Sequence, residues 1–140
     1  MKQLRMELLR DHAAIELLSK RLSRLTEAGA SAAELAHALK QLVDTVAAHL
    51  AIEEAALYSE AMQSLPGFTP EAIARATNEF EKLKTNWTSY CDLWTAEDIA
   101  SNKPGFIAAT KAILQRLGDR VRLETDLLVM AGALDNSRHA

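Results

Sequence analysis

Apolar positions recur along this chain at three- and four-residue intervals, the spacing of helices that each bury one face. Leu4, Leu8, His12, Ile15, Leu18, Leu22 and Leu25 form the first stripe, on a helix expected from about Lys2 to Leu25 and stopped near Gly29. Ser31 and Glu34 have the spacing of a capping box, able to satisfy the first free amides of a second helix. That helix carries Leu35, Leu39, Leu42, Val46 and Leu57 on one face and runs to about Gln63, before Leu65-Pro66-Gly67 breaks it. Thr69 and Pro70 open a third helix with the stripe Ile73, Ala76, Phe80, Leu83, Trp87, Tyr90 and Trp94. Thr95 to Asn102 reads as a short helical turn and a connection, and Pro104 restarts the chain. The last helix presents Phe106, Ile113, Leu117, Arg120, Glu124, Leu127 and either Met130 or Ala131.

No stretch alternates as a strand would, and the connections are short. Short connections make successive helices antiparallel neighbours, so the pattern predicts an all-α fold, an up-down-up-down antiparallel four-helix bundle. At 140 residues the chain suits a single domain, here residues 1–134, followed by a polar, frayed tail over 135–140.

Composition narrows the function classes. Apolar residues make up 49% and charged residues 25%, with a net charge of −3 and both signs mixed throughout. Nucleic acid and anionic membrane surfaces are therefore not expected partners, and a protein partner or a homodimer remains open. No leader or membrane-spanning run is visible, so the expected location is the cytoplasm. The lone Cys91 excludes an internal disulfide and reads as a small apolar residue beside the aromatic stripe Trp87, Tyr90 and Trp94, itself read as core packing. No nucleophile motif or phosphate loop is present, which argues against an enzyme.

The exceptions to the apolar pattern carry the chemistry. His49 and Glu53 lie four residues apart, stacked on the buried face of the second helix. His12 occupies the seam of the first helix, and Arg120 and Glu124 occupy the seam of the last. His37 and Glu54 are out of phase with these faces. Buried imidazoles and carboxylates need partners, and inward-pointing His and Glu from several helices are how bundles hold iron, manganese or zinc.

The segments Leu9-Arg10-Asp11-His12 and His49-Leu50-Ala51-Ile52-Glu53-Glu54, with Leu57-Tyr58 after them, resemble the hemerythrin-like domain over nearly the whole chain. The resemblance implies a four-helix bundle around an oxo-bridged di-iron centre that binds oxygen or senses oxygen, iron or redox state. Its implied ligands are a histidine on the first helix, His-x-x-x-Glu on the second, a histidine pair on the third, and a histidine followed by an acid on the fourth. His12, His49 and Glu53 match the first two helices. Ala76 and Phe80 stand at the third-helix pair, and Arg120 precedes Glu124 on the fourth, so only the acid remains there. An ordinary di-iron centre is not expected. The reading is a site of His12, His49, Glu53 and Glu124 that binds a single iron, manganese or zinc ion or none, in oxygen, redox or metal sensing. The alternative is a metal-free regulatory interaction module, in which the Arg120 guanidinium replaces the metal charge and neutralises Glu53 and Glu124 through paired hydrogen bonds.

Overall fold

The computed structural model describes the backbone of residues 2–50, 58 and 62–139, and side-chain surroundings over 6–49, 58 and 62–132. Glu53, Glu54, Leu57 and the course of the second helix beyond Leu50 lie outside the described residues. Within them every regular element is a helix: α1 Lys2–Glu27, α2 Ala32–Leu50, α3 Pro70–Leu93, the short α4 Ala96–Ser101, and α5 Lys103–His139. Residues 62–64 are also helical.

The helix ends follow local chemistry. Gly29 ends α1 at a φ of +69°, and Gly67 turns the chain before α3 at +92°, a region that suits a residue without a Cβ. At the start of α2 the Ser31 hydroxyl accepts from the Glu34 amide at 3.2 Å. The Glu34 carboxylate accepts from that hydroxyl at 3.1 Å, not from a backbone amide, so the expected box is half formed. Thr69 caps α3 by accepting from the Ala72 amide, with Pro70 in the first turn. Thr95 and Asp98 form a full capping box on α4, which turns the predicted connection into a defined element.

Helix α5 runs to His139. At its last buried turn Met130 is 45% exposed and Ala131 is half-buried, so the seam takes the smaller of the two candidates.

Helix α1 packs on α2 and α5, α3 packs on α5, and α4 bridges α2 and α5. Side-chain pairs give the directions. Asp11 meets His49 while Arg21 meets Gln41, so α2 runs opposite to α1. Ala76 meets Arg120 while Tyr90 meets Thr110, so α5 runs opposite to α3.

The apolar core falls into two clusters. The larger joins Ile15, Leu22, Leu42, Val46, Trp87, Phe106 and Leu117 with their neighbours. The smaller gathers Leu8, Tyr58, Met62, Leu65, Leu127 and Leu128. On α1 the residue between the two clusters is His12, and on α5 it is Glu124. A polar layer therefore crosses the core where helix periodicity would otherwise demand apolar side chains.

At the far end of the larger cluster, Tyr90 stacks between Trp87 and Phe106 and shares a 2.6 Å hydrogen bond with Thr110. Burial pushes the Tyr90 phenol up to about 12, against the opposing effect of that hydrogen bond. Burial, with a smaller contribution from Asp92, pushes the Cys91 thiol from 9.0 to about 11. Both groups are held neutral in the fold, whereas the unfolded chain ionises near the ordinary values. Their contribution is intact below about pH 9 and is lost as the pH rises toward 11 and 12. Urea midpoints measured from about pH 8 to pH 11 should fall above pH 9, and Cys91→Ala should delay the onset to about pH 10, where Tyr90 contributes. An identical pH profile in Cys91→Ala would refute the assignment to the thiol.

Candidate metal centre

His12 comes from the middle of α1 and is 2% exposed. Its Nδ1 shares a 2.9 Å hydrogen bond with the Thr125 hydroxyl of α5. Its Nε2 lies 3.1 Å from the Tyr58 hydroxyl and 3.4 Å from Oε1 of Glu124. His49, at the end of α2 and 3% exposed, packs edge-on against His12 with ring centroids 4.9 Å apart. Its Nδ1 pairs with Asp11 Oδ2 at 3.3 Å. One ligand atom from each of His12, His49 and Glu124 lies within 4.8 Å of the others.

Arg120 closes the opposite side. Its Nε donates to Glu124 Oε2 at 2.9 Å, and its Nη1 donates to the Ala76 carbonyl at 2.9 Å. The guanidinium carbon stands 4.7 Å from the centre of the Phe80 ring. Both third-helix seam residues therefore touch the guanidinium, Ala76 through its backbone and Phe80 through its ring face. Of the expected grip on Glu53 and Glu124, the Glu124 half is present and the Glu53 half lies outside the described residues; the other arm of the guanidinium holds a main-chain oxygen. A cavity of about 30 Å³ remains beside His49, Glu124, Arg120 and Phe80. That is room for one or two waters.

Three of the four predicted ligands, His12, His49 and Glu124, thus converge from α1, α2 and α5, while Glu53 lies outside the described residues. Periodicity missed Asp11, Thr125 and Tyr58. Asp11 and Thr125 adjoin seam residues and so belong by phase to the next face, yet each reaches a ring nitrogen from the side. Asp11 stood in the first-helix motif beside His12 and Thr125 adjoins Glu124, but spacing gave neither a partner. Tyr58 was visible as part of the second-helix motif, but nothing in the spacing gave its hydroxyl a partner.

Over residues 5–131 the sequence matches the model of the hemerythrin HHE cation binding domain. The chain belongs to this family. Neither curated proteins nor solved structures yielded a match. Within the family frame, the donors present suit one cation. Two imidazoles and a carboxylate form a set favoured by first-row metals. Each imidazole has its second nitrogen held by a hydroxyl or carboxylate, the arrangement that fixes ring orientation and raises ligand basicity. A second cation fits poorly, because a permanent positive charge and a phenyl ring fill the space across Glu124.

The buried Arg120–Glu124 pair makes a sharp stability prediction. Arg120→Ala should cost roughly 3–5 kcal/mol, because it strands a carboxylate that is 1% exposed. Adding Glu124→Gln should recover much of that loss, since a neutral amide needs no counter-charge. Chemical denaturation of the two variants checks this, and a loss below about 1 kcal/mol in Arg120→Ala would show that the pair is solvated.

Proposed function

We propose that this hemerythrin-family chain is a cytoplasmic module that binds a single metal ion and serves in oxygen, redox or metal sensing. The observation that carries the proposal is the convergence of His12, His49 and Glu124, with donor atoms inside 4.8 Å and Thr125 and Asp11 orienting the rings. Two histidines and one carboxylate with open positions form the donor set of mononuclear non-haem iron(II), which makes iron the favoured ion over manganese or zinc. Iron held there would supply a one-electron couple and an open coordination position. The chain itself would contribute a buried site whose carboxylate turns one oxygen toward His12 and has the other tied to Arg120.

In this reading residues 1–134 act as one unit, an up-down-up-down four-helix bundle supported by the opposed directions of α1 with α2 and of α3 with α5. Arg120 takes the charge of a second metal, and Phe80 takes the volume of its ligands. Glu53 is a further candidate donor on the grounds of its spacing from His49. The state of the site would be read by a protein partner or a second copy of the chain. No helix among the described residues is long and apolar enough to cross a membrane, which accords with a cytoplasmic setting.

The 2.9 Å Arg120–Glu124 bond also favours a second reading, a regulatory module that holds no metal because the guanidinium already neutralises its carboxylate. Metal analysis separates the two. Protein purified from iron-supplemented cells should carry about one metal ion per chain, and His49→Ala and Glu124→Gln should each lose most of it. The triple change Ala76→His, Phe80→His and Arg120→His should raise the content toward two. No metal in the parent protein would leave the arginine-filled module standing. Two irons with an oxo-bridge absorption band would sink both readings.

A further inference from the structure

The three ligands of the proposed centre leave open positions on a bound ion, and the polar layer contains another oxygen. We infer that the Tyr58 hydroxyl is a metal ligand, coordinating as phenolate beside His12 and Glu124. This rests on the single-metal reading above.

Donors bound at about 2.0–2.1 Å to a common ion lie roughly 3.0–3.4 Å from one another along the edges of a coordination polyhedron. Tyr58 Oη lies 3.1 Å from His12 Nε2, and Glu124 Oε1 lies 3.4 Å from that same nitrogen. Both separations fall at or within that range, and the tyrosine oxygen is the nearer of the two.

The His12 ring permits no other arrangement. Nδ1 is engaged with Thr125, so Nε2 must present its lone pair to the metal. Tyr58 already stands against that nitrogen, and at 0% exposure it has no route into solvent. An ion placed on Nε2 must therefore either be accepted by the phenol oxygen or drive a fully buried ring out of the smaller core cluster, where it packs with Leu8, Met62, Leu65, Leu127 and Leu128. Acceptance is the cheaper course. A phenolate also adds a hard, negatively charged oxygen to the set, which favours iron(III) over softer or lower-charged ions. When iron(III) binds, the iron–oxygen bond forms, the phenol O–H breaks, and the proton leaves to solvent, as metal binding generally releases protons from its ligands.

The chain has two tyrosines, so the assignment can be read spectroscopically. Tyr90 lies in the larger cluster, bonded to Thr110, and serves as the control. Full-length protein loaded with iron(III) should show a visible phenolate-to-iron charge-transfer band, with ring modes of a coordinated phenolate enhanced in resonance Raman spectra excited within it. Tyr58→Phe should abolish the band while retaining iron and helical circular dichroism, and Tyr90→Phe should leave it unchanged. If Tyr58→Phe also releases the iron, an unchanged band in Tyr90→Phe still assigns the phenolate to Tyr58. A loaded parent protein with one iron and no such band overturns the ligation and leaves the single-metal reading intact. A band that survives Tyr58→Phe does the same. Failure of the parent protein to bind iron at all overturns the single-metal reading itself.

Discussion

Burying the Glu124 carboxylate is the constraint to which the middle of this bundle answers. A carboxylate with 1% exposure is very costly unless it is neutralised and hydrogen-bonded. The fold supplies a guanidinium on one oxygen and an imidazole near the other. Each of these partners needs support of its own. Arg120 finds it in the Ala76 carbonyl and the Phe80 face, and His12 finds it in Thr125 and Tyr58. One buried charge thereby recruits residues from α1, α3 and α5, and from position 58.

The same layer also sets how the helices sit along one another. Apolar faces built from Leu, Ile and Val tolerate sliding by a turn, since one methyl-rich surface resembles the next. Sliding α1 by a turn against α5 would take His12 away from both Thr125 and Glu124 and leave polar atoms buried without partners. Polar groups of this kind have fixed register in other helical assemblies, and here they lie between two apolar clusters that have no such selectivity.

Much of this was legible in the sequence, and the part that was not has a physical cause. Helical periodicity located the buried faces, and it placed His12, His49, Arg120 and Glu124 inside because a seam residue is buried whatever its chemistry. Periodicity carries no information about residues that flank a seam and reach sideways, so Asp11 and Thr125 escaped it. For Arg120 it marked the carboxylate of Glu124 but not the further acceptor, the main-chain oxygen of Ala76, which no sequence pattern marks.

The contact between Arg120 and Phe80 has a consequence for substitution. Arg120, Phe80 and Glu124 are held in place by one another. Exchanging Arg120 for histidine first strands Glu124, and exchanging Phe80 first removes the ring on which the guanidinium rests. Either exchange taken alone therefore passes through a less stable protein. The layer therefore changes as a unit or not at all: a new residue at one of these positions is tolerated only when its neighbours change with it.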